Sequence, residues 1–320
     1  MADTAQVLDT VIREVDAGRR AALCVIVATR GSTPQVPGAM VCVDENAQIR
    51  GTVGGGCTEA EIRRTAHQML AGGGSNLLTF ELDEESAAEN GLICGGQMDV
   101  AISVISHPTQ TEPLRAAVDQ LRRGEPGLIP IRVERDNGPA EYRVRLEAKP
   151  KLLIAGGGHL GKELASVAVP LGFRVTVIDD REDFASSSRF PPPVNRVVSD
   201  IERALSGWPI DANTYVVIVT RGHKHDQQAL GAVLASPAKY IGMIGSRRKI
   251  KVIYDDLTRE GATPAQLDRV HAPIGLDIHA ITPEEIAISI AAELIKIRRV
   301  DYEAVVEGPL PTGPARLRGG

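Results

Sequence analysis

Val7, Leu8, Val11, Ile12 and Val15 recur at helical spacing and stop at Gly18, which predicts an amphipathic opening helix. Residues 21–29 form a continuous apolar run, the pattern of a buried strand, and empty into residues 31–38, a loop of turn formers. Residues 40–44 and 48–53 predict a hairpin. Residues 59–72 predict a helix that ends at Gly72, Gly73 and Gly74, and residues 76–82 another strand. An acidic stretch over 83–89 reads as solvated surface and is followed by a strand over 98–105. A helix over 113–123 and strands over 128–134 and 141–146 complete this part.

Residues 147–150 read as a linker, after which strands and helices alternate. Strands are expected over 151–155, 174–178, 215–220 and 240–244, each leading toward a helix or a glycine-bearing turn. Thr282-Pro283-Glu284-Glu285 is a strong helix start, with Pro at the first position and Glu at the third, and that helix should run to about Arg299. The expected class is α/β. An N-terminal α+β domain (1–147) precedes a Rossmann-like domain with a mainly parallel sheet (148–307), and a tail rich in Pro, Gly and Arg (308–320) is expected to be disordered.

A chain of 320 residues suits two domains, and 43% hydrophobic with 24% charged residues is ordinary globular composition. A net charge of −5 without a basic run gives no sign of nucleic acid or an anionic membrane as partner. No apolar segment is long enough to span a bilayer, and the polar N-terminus lacks a signal-peptide pattern, so a cytoplasmic protein is expected. The four cysteines form no CxxC pair. Cys24 and Cys42 lie in strand-like runs and read as inert core, whereas Cys57 and Cys94 flank glycine clusters.

Three features carry chemistry. The first is Gly54-Gly55-Gly56-Cys57, running from an extended segment into a helix. Successive glycines present main-chain N–H groups to an anion, and the helix start adds partial positive charge. The Thr58 and Glu61 spacing predicts a capping box with Thr58 as N-cap and Cys57 just outside. Glu59 opposes thiolate formation, so Cys57 suits a soft metal ligand or a persulfide carrier better than a strongly activated nucleophile. Cys94-Gly95-Gly96 repeats the theme.

The second feature is Gly156, Gly158 and Gly161, which fit GxGxxG between a strand and a helix. Asp179, about 20 residues on, ends the next strand where an acid would hold ribose hydroxyls. The same glycine turn also serves as a packing device. The third is the loop holding His223 and Asp226, joined by Gly245 and Ser246 at a later helix start. Both should face the crevice at the C-terminal ends of the strands. Arg247, Arg248 and Lys249 either meet phosphate there or form a solvated face.

These motifs resemble, in order and over almost the whole chain, those of the xanthine dehydrogenase accessory proteins of XdhC/CoxI type. The resemblance rests on residues 31–39, 51–59, 94–96, 153–161, 220–226, 240–248 and 273–286. Gln35 stands where it implies a basic residue, and His279 where it implies a small one. It implies a chaperone that binds molybdenum cofactor, protects it and delivers it to a molybdenum hydroxylase such as xanthine or carbon monoxide dehydrogenase. Cys57, Glu59 and Cys94 are then expected along one wall of the cofactor site, opposite His223 and Asp226, with a cysteine desulfurase as a further partner and a homodimer as the expected assembly. Two alternatives are an NAD(P)-dependent oxidoreductase with His223 as acid/base, and a sulfur-transfer enzyme acting through a cysteine persulfide.

Overall fold

The computed structural model describes residues 4–82, 96–135, 138–300 and 305–309, without the side chains of Cys57, Leu82 and Val300. The chain forms two compact units that divide between Ala148 and Lys149.

The first unit opens with α1 (Thr4–Asp16), followed by β1 (Ala21–Arg30), β2 (Met40–Asp44) and β3 (Ile49–Gly51). Then come α2 (Gly56–Gly72), β4 (Ser75–Leu82), β5 (Gly96–Ile105), α3 (Pro108–Arg123), β6 (Gly127–Val133) and β7 (Ala140–Leu146). Five strands form an antiparallel sheet in the order β3-β2-β1-β5-β4. β1 is apolar throughout because both its faces are covered. Leu23, Val25 and Val27 join a core with α1, α3, β6 and β7, while Ala22, Cys24 and Ile26 meet Ile62, Ala66 and Leu70 of α2. Each fully buried Leu or Ile contributes roughly 1.5–3 kcal/mol, so β1 anchors two cores at once.

α3 begins five residues before the expected start and carries Pro113 inside it. His107 and Gln110 form a capping box at its start, a local signal that outweighs the proline. β7 alternates buried and exposed residues along its length, as expected of a sheet with one face on the core. The strand Val306–Glu307 pairs antiparallel with β7, so this segment belongs to the first unit and not to the second domain in which the sequence boundary placed it. The acidic stretch and most of the tail lie outside the described residues.

The second unit contains β8 (Lys151–Ala155), α4 (His159–Ala168), β9 (Arg174–Asp179), a 3-10 turn (Glu182–Ala185), β10 (Asn195–Val198) and α5 (Ile201–Ser206). It continues with β11 (Thr214–Ile218), α6 (His223–Val233), β12 (Tyr240–Met243), α7 (Arg247–Arg259), α8 (Pro264–Asp268), β13 (Val270–His271) and α9 (Pro283–Val300). The six strands are parallel in the order β10-β9-β8-β11-β12-β13. This is the doubly wound order of dinucleotide-binding folds, with its crevice where the winding reverses between β8 and β11. One face packs on α5, α6 and α7, the other on α4 and α9.

Candidate functional site

In the first unit the site is built around the glycine turn between β3 and α2. Gly54, Gly55 and Gly56 have φ of 126°, 74° and 64°, a run that residues with a Cβ rarely adopt. α2 therefore starts at Gly56, with Gly55 as an N-cap that offers no side chain, and the expected cap at Thr58 does not form. Thr58 is buried within the first turn instead. Glu59 reaches backward: its Oε2 accepts from Thr52 Oγ1 at 2.8 Å and from the Val53 N–H at 3.2 Å. It thus ties the extended segment to the helix that follows. Cys57 occupies the first turn of α2, but its side chain lies outside the described part of the structure, as does the whole of Cys94.

The loop at residues 31–38 meets two other motifs. A Cβ on Gly54 would lie 2.7 Å from Pro34 Cγ, and one on Gly96 only 2.1 Å from the Ser32 carbonyl oxygen. Three stretches separated in sequence are therefore in close contact, while a Cβ on Gly55 would meet open space. Gln35 lends its main-chain oxygen to Thr33 Oγ1 at 2.8 Å, so its main chain shapes the loop whatever the side chain. Cys24 and Cys42 are buried core, as expected. Burial raises both thiols, that of Cys42 to about 12, and keeps them protonated.

In the second unit the GxGxxG turn packs against its own protein. A Cβ on Gly156 would lie 2.4 Å from the Val219 carbonyl oxygen, and one on Gly161 2.0 Å from that of Gly156. These glycines let α4 and β11 approach β8, whereas Gly158, the N-cap of α4, faces open space. Asp179 does not stand free for a ribose. Its Oδ2 accepts from the Gly157 N–H at 2.8 Å and from Arg181 Nη2 at 3.0 Å, and its Oδ1 accepts from Arg181 Nε at 2.9 Å. Burial pushes this carboxyl up, but the Arg181 guanidinium and the N–H groups of Gly157 and Arg181 outweigh it and hold it below the usual aspartate range. Arg189 Nε donates to the Gly157 carbonyl at 2.7 Å, and Arg181 stacks on Phe184 at 3.5 Å. The segment after β9 thus closes over the glycine turn.

At the end of β11, Thr220 Oγ1 donates to Asp226 Oδ1 at 2.5 Å, and Lys249 Nζ pairs with Asp226 Oδ2. Asp226 is fully buried in the first turn of α6; the helix N-cap is Gly222, so Asp226 does not cap it. His223 Nε2 is buried without a hydrogen-bond partner in the structure. Ser246 caps α7 by accepting from the Lys249 N–H at 3.3 Å, and Gly245 lies against Lys249 and Ile250. Lys249 therefore turns inward to a carboxylate and is neither a solvated charge nor free for a phosphate.

A further buried cluster was not anticipated. Glu293 of α9 accepts from Tyr240 Oη at 2.5 Å, from the Gly275 N–H at 2.9 Å, and lies 3.1 Å from His271 Nδ1. Burial raises its carboxyl, yet His271, Tyr240 and the Gly275 N–H hold it low. The signal was a glutamate set within the apolar face of Ala287, Ile290, Ala291 and Leu294. His279 has φ of 59° on an exposed loop, so its size disturbs no packing before α9. Among the described residues, no group of three His, Cys, Asp or Glu is arranged to hold a metal ion, and no helix is long and apolar enough to cross a membrane.

Comparison with known proteins gives two family matches. The XdhC Rossmann domain matches residues 152–294, and the XdhC and CoxI family matches residues 15–81. A probable xanthine dehydrogenase subunit from Bacillus subtilis (strain 168) is 33% identical over 155 residues, 48% of this chain and 45% of that protein. The molybdenum cofactor insertion chaperone PaoD of Escherichia coli (strain K12) is 22% identical over 308 residues, 92% of this chain and 89% of that protein. The chain spans 43% and 45% of the lengths of two of the curated relatives it matches. A crystal structure from Bacillus halodurans, described as a xanthine dehydrogenase, shares the fold with a TM-score of 0.79 at 22% identity. The match covers 95% of this chain and 98% of that one.

Proposed function

The chain belongs to the XdhC and CoxI family, and from this we propose that it is a maturation factor that binds molybdenum cofactor and inserts it into a molybdenum hydroxylase. The convergence of residues 31–38 on Gly54 and Gly96, around a glycine turn open at Gly55, carries the reading. Molybdenum cofactor is an anionic pterin phosphate. Consecutive glycines at positive φ beside a helix start form the kind of main-chain concavity that holds such a group. The similarity to PaoD supports the same reading, because it runs through both units and spans most of both proteins.

In this reading the cofactor is cargo. The glycine turn and the start of α2 hold its phosphate, and Glu59 keeps the turn in shape. A nicotinamide dinucleotide is less well served, since its ribose would have to displace Arg181 and Gly157 from Asp179.

Transfer tests the proposal. The chain is loaded with cofactor under anaerobic conditions, separated from free cofactor and mixed with a cofactor-free molybdenum hydroxylase. Recovery of hydroxylase activity faster than with an equal amount of free cofactor supports insertion. Recovery at the same rate with or without the chain contradicts it.

A further inference from the structure

Three polar groups lie inside the first unit beside its apolar core. Tyr142 of β7 is 2% exposed and its Oη has no hydrogen-bond partner, nor has the buried Nε of Arg135. Asp99 of β5 is 1% exposed and accepts from Thr79 Oγ1 at 2.6 Å. Burial raises the Tyr142 phenol, Arg135 lowers it and Asp99 raises it further, which sets both charges beside the phenol. Buried polar groups are ordinarily paired, and one left unpaired weakens the fold. The cluster also borders the candidate site. Asp99 stands three residues past Gly96, which touches Ser32, and β1 bulges opposite it, between Ile26 and Ala28. Its cover is thin. Gly308 lies so close to the Tyr142 ring that a Cβ would be 2.4 Å from Cδ1. The strand before it, Val306–Glu307, is two residues long and pairs with Val144 and Arg143, while the Val305 carbonyl accepts from the Arg145 N–H at 2.7 Å. A short edge strand of this kind opens before the rest of a fold does. Val305 also packs on Gly38, where a Cβ would be 2.4 Å from its Cγ1. The strap 305–308 therefore joins Tyr142 to the loop that meets the glycine turn.

We propose that, when this strap lifts, Asp99, Arg135 and Tyr142 hold the pterin ring of the cargo by its aminopyrimidinone edge. This rests on the reading of the chain as a molybdenum cofactor carrier, and gives the end of the cofactor away from its phosphate a place to bind. The edge carries two adjacent donors, the ring N–H and the exocyclic amine, which match the two oxygens of one carboxylate. The ring carbonyl next to them accepts from the Arg135 Nε–H or the Tyr142 hydroxyl, the two donors left unpaired. The part of the Tyr142 ring that Gly308 vacates offers the pterin an aromatic surface.

Fluorescence titration of the full chain with free pterin, which carries neither molybdenum nor phosphate, tests this apart from metal uptake. Lumazine is the comparison, having the same rings with a carbonyl in place of the amine. Pterin should bind at least about tenfold more tightly than lumazine. Asp99→Asn keeps an acceptor for Thr79 but should lose that preference. Gly308→Ala sets a methyl against the Tyr142 ring, lifts the strap and should tighten pterin binding about threefold or more. Equal binding of the two compounds, no binding of either by a folded chain, or a preference that survives Asp99→Asn overturns the proposal. If that happens while the chain still retains molybdenum, the carrier reading stands and this site falls. A pterin preference that Asp99→Asn removes, in a chain that retains no molybdenum, supports the site and sinks the carrier reading.

Discussion

The main-chain N–H of Gly157 donates to Asp179 Oδ2 over 2.8 Å, and the other oxygen of that carboxylate accepts from Arg181. A residue placed where dinucleotide-binding folds hold a ribose is here committed to its own glycine turn. Titration with NADH or NADPH should therefore show no saturable binding at millimolar concentration. Saturable binding that Asp179→Asn abolishes would restore the ribose role.

The same carboxylate makes a stability prediction. Asp179→Ala leaves the buried Gly157 N–H without its acceptor and frees an Arg181 guanidinium that can reach water, and should cost about 1–3 kcal/mol, with Asp179→Asn costing less because it keeps an acceptor. The pH dependence follows from the direction of the shift. Asp179 and Glu293 both sit below their ordinary values when folded, so their contributions are complete above the unfolded values, about 4. They are lost as pH falls from there through the folded values. Urea midpoints should hold steady from neutral pH to about 5 and drop below about 4, with a smaller drop in Asp179→Asn.

Two glycines of the first unit should fail differently. Gly96→Ala sets a methyl against the Ser32 carbonyl and must move the loop at residues 31–38, an overpacking cost of about 1–3 kcal/mol. Gly55→Ala meets open space but must hold φ of 74° with ψ of −175°, a region almost confined to glycine, at a strain of about 1–3 kcal/mol. Thermal melts report both costs. Cofactor retention should fall in Gly55→Ala by more than its melting point implies, because the added methyl enters the space assigned to cargo. Full retention in that variant would remove the turn from the site.

Asp226 and Lys249 should be unequal partners. Lys249→Met leaves a fully buried carboxylate without its cation, at about 3–5 kcal/mol. Asp226→Asn keeps an acceptor for Thr220 and leaves a lysine able to reach water, at about 1–2 kcal/mol. Chemical denaturation of the two variants gives the order, and the reverse order would mean that the pair is not what holds α6 and α7 together.

Much of this was legible in the sequence wherever the signal is local. Thr282 and Glu285 form the capping box their spacing predicts, and β8, β9, β11 and β12 lie where the apolar runs place them. Thr58 and Glu61 show the same spacing without forming a cap. Three glycines at positive φ start the helix at Gly56, and it is Glu59 that turns back. The role of Asp179 was hidden for a related reason: position along a strand suggests a ligand, but not that Arg181, two residues on, competes for it. Pairing of Val306–Glu307 with β7 depends on contacts across half the chain, which local pattern does not carry.

The most direct test is whether the chain takes up its cargo. Protein incubated anaerobically with molybdenum cofactor is passed through gel filtration, and molybdenum is quantified in the protein peak. A cofactor chaperone should show near-stoichiometric molybdenum in the wild-type chain and a clear loss in Gly55→Ala. A folded chain that emerges without molybdenum while the cofactor remains intact would contradict that role.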